Sequence, residues 1–198
     1  YAERAIKEIK KFYAGKIELK KIVTKGDKIL DRRTSDIGGK GEFIKNIERE
    51  LISKKIDIAV HSLKDVPYNE RRGLVLNSFL KRNSPNEVLI SRNNLTLKKL
   101  KKNSIIGTSS FRREFQLKLI RPDLKFKLIR GNIDSRIKKI YEKKYDAIIL
   151  AKAGLNFLKM SNIITQEFDC KKIIPSAGQG IISLQARRND KKINKLLE

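Results

Sequence analysis

Asp57-Ile-Ala-Val-His-Ser-Leu-Lys-Asp-Val-Pro67 is the stretch on which the reading of this chain turns. Ile58 to Val60 is a short apolar run of the kind a buried strand shows, and Pro67, with no amide to give to a ladder, ends regular pairing. Between them lies a polar loop carrying His61, Ser62, Lys64 and Asp65. In an open α/β sheet ligands sit at the loops beyond the carboxyl ends of strands, which makes Lys64 and Asp65 a candidate site. Alone, the pair would read as a solvated turn, because Asp favours turns and Lys is almost always exposed. The flanking sequence tips the balance.

Upstream, Ala5, Ile6, Ile9 and Phe12 recur at helical spacing, which predicts a helix over 2–12 closed by Gly15 and followed by a strand over 16–23. Thr24-Lys-Gly-Asp27 reads as a turn. Ile37-Gly-Gly-Lys-Gly41 is a glycine-rich loop leading into a helix with Phe43, Ile44, Ile47, Leu51 and Ile52 on one face. Downstream, strands are expected at 87–91 and 104–107, separated by a lysine-rich helix or loop around 95–102. Gly107-Thr-Ser-Ser110 then heads a helix with the apolar stripe Phe111, Phe115 and Leu119, ended by Pro122. Phe126 to Ile129 is a strand, Arg130-Gly-Asn132 a turn, and Ile133, Ile137, Ile140 and Tyr141 the face of a helix feeding a strand at 147–151.

The order glycine, helix, Lys54-Lys-Ile-Asp57, strand is echoed by glycine, helix, Lys143-Lys-Tyr-Asp146, strand. Such an echo predicts an α/β fold of two similar lobes with mainly parallel sheets and a cleft between them. Pro175-Ser-Ala-Gly-Gln-Gly180 reads as a crossing by which the chain returns to its first lobe for a last strand at 181–185 and a helix from Lys191.

With 198 residues and 39% apolar content the chain can bury a core as one large domain or two small ones. Its 47 Lys and Arg against 22 Asp and Glu give +25, which suits a polyanionic partner. Lysine pairs such as Lys98-Lys99 and Lys171-Lys172 are scattered without interleaved aromatics, however, so they read as a solvated surface and no nucleic-acid partner is expected. Single residues of each type, Cys170 and His61, allow neither an intrachain disulfide nor a multi-cysteine or histidine-cluster metal site. A reducing, cytoplasmic setting without a membrane partner is expected, since no run reaches a membrane span and no signal segment opens the chain. Tyr1 stands already inside a helical pattern, which suggests a start further upstream.

Two turns collect cations. Arg112 and Arg113 fall in the first turn of a helix behind Thr108, Ser109 and Ser110. Cations there oppose the helix dipole, so an anion is expected beside them unless both simply face solvent. Arg130-Gly131-Asn132 with Arg136 repeats the chemistry, and guanidinium forks match planar carboxylates better than lysine does. Among these groups Asp65 is a lone carboxylate, placed to steady a developing positive charge or to shuttle a proton.

Taken together, His61-Ser-Leu-Lys-Asp-Val-Pro67, Gly107-Thr-Ser-Ser-Phe-Arg-Arg113, Arg130-Gly-Asn132 with Arg136, Tyr145-Asp-Ala-Ile-Ile-Leu-Ala151 with Ala153-Gly-Leu155, and Pro175-Ser-Ala-Gly-Gln-Gly180 resemble the porphobilinogen deaminase (hydroxymethylbilane synthase) family. Val23-Thr-Lys-Gly-Asp27 and Gly38-Gly-Lys-Gly41 fit as well, so the resemblance runs along the whole chain in order. It implies two lobes like those of periplasmic binding proteins, residues 1–80 with 175–198 forming domain 1 and 86–174 domain 2. The family's opening strand and its third, α+β domain would lie outside these residues. The third domain would carry the cysteine that holds a covalent dipyrromethane cofactor; Cys170 lacks that glycine-glycine-cysteine setting and is not expected to serve.

The implied activity is head-to-tail condensation of four porphobilinogen molecules, with release of ammonia, by a monomer acting on porphobilinogen and the growing polypyrrole. Asp65 would be the catalytic carboxylate, contacting pyrrole N–H groups and steadying a cationic azafulvene. Lys64, Ser109, Ser110, Arg112, Arg113, Arg130, Gly131 and Arg136 would bind the cofactor, and Thr108, Arg112, Arg130 and Arg136 the substrate. Phe157 stands where the family pattern has arginine, and these residues alone are not expected to complete the synthesis. A non-catalytic, two-lobed polycarboxylate-binding module, or an inactive fragment of the enzyme, would share the architecture. Asp65 argues against a pure receptor, which has no use for a carboxylate among its cations.

Overall fold

A computed structural model of the chain describes residues 1–24, 31–33, 36, 41 and 44–198. Lys25, Gly26 and Asp27 of the expected turn, residues 37–40 of the glycine-rich loop, and Phe43 lie outside the described residues. In chain order the elements are α1 (Ala2–Ile9), α2 (Lys45–Ile52), β1 (Ala59–Ser62), β2 (Leu74–Phe79), β3 (Glu87–Ser91), β4 (Ile105–Gly107), α3 (Phe111–Ile120), β5 (Lys125–Lys127), α4 (Ile133–Tyr141), β6 (Ala147–Ala151), α5 (Lys152–Phe157), β7 (Gln166–Glu167), β8 (Ile182–Arg187) and α6 (Lys191–Leu197). Short 3₁₀ turns at Leu63–Asp65, Leu97–Lys99 and Ser161–Ile163 complete the set. The chain forms two compact units, Tyr1–Lys28 with Ile37–Asn83 and Ile181–Glu198, and Ile29–Asp36 with Ser84–Gly180. Residues 31–33, 36 and 175–180, which the sequence placed in the first lobe, group with the second unit.

In the first unit the sheet order is β1-β8-β2, with β8 antiparallel to both neighbours. Leu184 and Ala186 of β8 pack with Ala5 and Ile9 of α1 and Leu197 of α6. A separate cluster joins Leu51 of α2 to Ala59 and Leu74. In the second unit the order is β5-β4-β6-β3-β7. Here β4 is parallel to β5 and β6, whereas β3 is antiparallel to β6 and β7.

The sheets are therefore mixed, and parallel pairing, expected to dominate, is confined among the described residues to β4, β5 and β6. Those three are joined by helical crossovers, α3 and α4, which impose parallel order. β3 and β8 are each the first strand after the chain passes from one unit to the other, so no crossover helix sets their direction.

Burial explains why Val88 to Ile90 of β3 and the whole of β6 read as unbroken apolar runs. Every residue of β3 is buried, as are Ala147 to Leu150 of β6. Leu89, Ala147 and Ile149 face one cluster with Leu117, Leu124 and Phe168; Val88, Ile90, Ile148 and Leu150 face the other with Ile137, Ile140 and Leu155. A sheet covered on both faces has no polar side to alternate with.

Several elements depart from their expected form. α1 stops at Ile9, and Phe12 lies beyond it, 82% exposed. Residues 16–23 have no ladder partner among the described residues, and Leu19 and Val23 are exposed, so the stretch is not a strand. β5 spans 125–127 rather than 126–129, and β2 and α5 were not foreseen. The expected stripe of α3 is on the wrong side: Phe111, Phe115 and Leu119 are 59%, 64% and 71% exposed, and the helix buries Arg113 and Leu117 instead. An arginine bound to a buried carboxylate occupies the inner face, so apolar periodicity picks out the outer one.

No helix among the described residues is long and apolar enough to cross a membrane. Nor do the described residues gather three or more His, Cys, Asp or Glu side chains that could hold a metal ion.

Candidate functional site

The first unit contributes the turn after β1. Leu63 donates its amide to Ile181 O at 3.0 Å and Val66 to Leu63 O at 3.1 Å, which pins the turn bearing Lys64 and Asp65 to the sheet. Both side chains are half-buried. His61, expected in the loop, is instead a strand residue, 5% exposed. Its Nε2 lies 3.0 Å from Gln185 Oε1, and Gln185 Nε2 donates to Glu48 Oε1 at 3.1 Å. Because the amide nitrogen of Gln185 is spent on a carboxylate, its oxygen must accept, and this network assigns the proton to Nε2 of His61.

Burial holds the His61 imidazole below its ordinary pKa, outweighing the hydrogen bond to Gln185 and the charges of Glu48 and Asp65. The folded state then keeps His61 neutral where the unfolded chain begins to protonate it, below about pH 6.5. Unfolded chains bind more protons in that window, so His61 makes stability fall as pH drops from about 6.5 toward its lower folded value. Urea midpoints measured between about pH 5 and 7 are expected to fall less steeply in His61→Asn than in the native chain. Parallel pH profiles would show that His61 is not the group responsible.

The second unit contributes the head of α3. Thr108 is 2% exposed, its amide donates to Lys127 O at 3.0 Å, and its Oγ1 accepts from Ser110 N at 3.2 Å. Ser110 is the N-cap, its hydroxyl accepting from Arg113 N at 3.4 Å. Ser109 between them is half-buried. The anion that the arginine pair called for is internal: Glu87, fully buried at the start of β3. Its Oε2 accepts from Arg113 Nη2 at 2.7 Å and its Oε1 from Arg112 Nη2. Arg113 Nη1 also donates to Ile149 O at 3.3 Å, and Arg112 Nη1 to Ile174 O. Burial pushes the Glu87 carboxyl up, but the Arg113 charge and the hydrogen bonds from both arginines prevail and hold it below the ordinary carboxylate range.

Sequence reasoning missed Glu87, having treated Asp65 as the sole carboxylate of the site motifs. The available signal was a charged residue at the head of the apolar run Val88-Leu-Ile90, where a strand interior admits a carboxylate only if it is paired. Arg33, also unforeseen, donates to Glu114 Oε2 at 2.7 Å and lies 3.9 Å above the Phe111 ring centroid.

A second turn follows β5. Arg130 is 5% exposed and donates through Nη1 to Arg32 O at 2.9 Å, and Arg136 Nε donates to Gly131 O at 2.7 Å. Gly131 has φ +106, and a Cβ there would fall 2.5 Å from Ser135 Oγ. Gly131→Ala is expected to lower unfolding free energy by about 1–3 kcal/mol, the usual cost of a forced positive φ. In a Ser135→Ala background the steric part disappears and the backbone part remains; a fully restored urea midpoint there would show that φ is not the cause.

Phe157 is half-buried at the end of α5. Cys170 is half-buried, its thiol 3.1 Å from Asn86 Oδ1. Thus Lys64 and Asp65 belong to the first unit, and the hydroxyl and guanidinium groups to the second.

Comparison with known proteins assigns the chain. It is 48% identical over 181 residues to a porphobilinogen deaminase of Bacillus cereus (strain B4264), covering 91% of this chain and 59% of that protein. A porphobilinogen deaminase of Bacillus subtilis (strain 168) is 44% identical over 189 residues, covering 95% and 60%. The chain therefore spans about 59–60% of the length of these relatives. Among solved structures, the periplasmic domain of B. pertussis BvgS aligns with 98% of this chain and 34% of its own, at TM-score 0.50 and 14% identity. That likeness is one of fold, the two-lobed α/β type of periplasmic binding proteins. Residues 1–195 match the family model described as "Porphobilinogen deaminase, dipyromethane cofactor binding domain", and the chain belongs to the porphobilinogen deaminase family.

Proposed function

We propose that the protein condenses four porphobilinogen molecules head to tail into hydroxymethylbilane with release of ammonia, the hydroxymethylbilane synthase step of tetrapyrrole and heme biosynthesis. The observation that carries this reading is 48% identity across 91% of the chain to a protein named for that deamination. On the same reading it is a cytoplasmic monomer whose partners are porphobilinogen and the growing polypyrrole, without nucleic acid or membrane.

The donor set at the head of α3 fits a dipyrromethane group with carboxylate side chains. It offers a hydroxyl turn, a helix amino terminus and Arg112, whose side chain is 29% exposed. Such a group, when bound, supplies the pyrrole on which the chain is built. Ser109, Ser110 and Arg112, with Arg130, Arg136 and the turn at Gly131, would hold its carboxylates on the second unit; Lys64 is the carboxylate ligand proposed for the first unit. Arg113 was expected among these ligands, but with 9% of its side chain exposed against 29% for Arg112 it shares Glu87 with Arg112 and presents little surface of its own. Thr108, whose hydroxyl accepts from Ser110 N, shapes the turn for the substrate. We place the attachment of the cofactor elsewhere than Cys170, whose thiol is turned to Asn86.

Asp65 does the electrostatic work. When ammonia leaves the aminomethyl carbon of porphobilinogen, positive charge spreads over the pyrrole ring, and a fixed carboxylate that accepts pyrrole N–H bonds lowers the barrier. The turn that carries Asp65 is tied to the sheet by backbone bonds, so little reorganisation is needed as the charge develops.

Purified protein expressed from its complete reading frame and given porphobilinogen is expected to release equimolar ammonia and to form a linear tetrapyrrole that closes on itself with loss of water to a porphyrinogen, which air then oxidises to uroporphyrin. Saturable binding of porphobilinogen without ammonia would overturn the reading in favour of a polycarboxylate-binding module.

A further inference from the structure

Two guanidiniums and one carboxylate meet where β3 begins and α3 starts. Glu87 is fully buried and gives one oxygen to each arginine. The two cations differ in what remains open to a ligand. Each gives Nη2 to Glu87 and Nη1 to a backbone carbonyl, Ile149 O for Arg113 and Ile174 O for Arg112, and the difference is exposure: Arg113 is nearly buried, whereas over a quarter of the Arg112 side chain is exposed. Two positive charges and one negative leave a single positive charge, on the partner that reaches the surface. The Thr108–Ser110 turn and the helix terminus add donors but no full charge.

We propose that Glu87 is a specificity-determining residue that sets this anion site to one net positive charge, so that it takes a monocarboxylate group and discriminates against a dianion such as sulfate. The inference rests on the carboxylate-binding reading given above. A carboxylate arriving at Arg112 neutralises what Glu87 leaves over. A dianion would bring a surplus negative charge to within a guanidinium's width of Glu87, where little water screens the repulsion. Glu87 at Nη2 and Ile174 O at Nη1 together hold the Arg112 guanidinium, so that a ligand reaching its exposed part meets a cation already oriented. It acts through Arg112, as a positioning residue.

A buried ion pair with only a structural role would alter stability but leave the relative preference for two anions unchanged, so the decisive readout is a ratio. Acetate and sulfate are titrated separately at constant ionic strength into the isotopically labelled protein, following the Arg112 Nε–H resonance. Glu87→Gln is expected to raise the sulfate-to-acetate affinity ratio by about tenfold or more, and Glu87→Asp, which keeps the charge, to restore the native ratio to within about threefold.

The double variant Glu87→Gln/Arg113→Met removes one charge of each sign and should also return to the native ratio. It replaces a broken buried pair by neutral groups, and so serves where Glu87→Gln alone does not fold. An unchanged ratio in Glu87→Gln, or a sulfate-preferring double variant, would overturn the proposal. Arg112→Leu, followed instead through the backbone amide resonance of Ser110 in the same turn, should lose both anions; if it keeps both, the carboxylate site is misplaced, a failure of the functional reading and not of Glu87's part in it.

Discussion

Asp65→Ala is expected to lower the rate of ammonia release from porphobilinogen by about two to four orders of magnitude, the usual range for a group that acts on charge or a proton in the transition state. Stability should hardly change, because Asp65 is a half-buried residue of a 3₁₀ turn that is held by backbone bonds from Leu63 and Val66 rather than by its own side chain. Asp65→Asn separates charge from shape: it keeps the size and one acceptor, loses the negative charge, and should fall nearly as far as the alanine variant. Turnover and thermal melting measured on the same preparations would decide. A loss of less than about tenfold, equivalent to roughly 1.4 kcal/mol in the barrier, would remove Asp65 from the chemistry.

A large stability effect outside the site should come from Leu117→Ala, at about 2–5 kcal/mol by loss of a fully buried side chain. Leu117 packs with Leu89, Ile106, Leu124 and Ile149 between α3 and one face of the second sheet. Phe115→Ser, two residues earlier on the exposed side, should stay within about 0.5 kcal/mol. Urea denaturation of the two variants tests the orientation of α3 directly, since the apolar stripe in the sequence argues for the reverse order. Equal losses, or a greater loss at Phe115, would mean that the helix is turned about its axis.

That helix shows where the sequence was legible and where it was not. β3, β4 and β6 were plain because strands covered on both faces are apolar throughout, and the turns at Thr108–Ser110 and Arg130–Asn132 were plain because caps and glycine turns are written in local residues. Hydrophobic periodicity failed on α3 because Arg113, not an apolar residue, fills its inner face, and its reason for being there lies 26 positions upstream at Glu87. The same long-range pairing hid the role of Arg113. His61 looked like a loop residue because its partner, Gln185, lies 124 positions away. The antiparallel direction of β3 and β8 was not legible, since pairing order across a chain crossing is carried by no local signal. The motifs with their own chemistry, Lys64-Asp65 and the arginine turns, were visible as motifs, while the contacts that commit each arginine were not.

The placement of β8 also bears on how the protein emerges from the ribosome. Synthesis is vectorial, and the strands β1 and β2 are complete more than 100 residues before β8, the strand that sits between them. Until then each edge that β8 will cover stays open, and no direct pairing joins β1 to β2. The second unit, by contrast, draws its whole sheet from one continuous segment, Ser84–Gly180, and can assemble while the rest is still being made. The later half of the chain should therefore acquire protection from proteolysis on stalled nascent chains before the earlier half does, an inversion of the amino-terminal-first order that translation alone would impose.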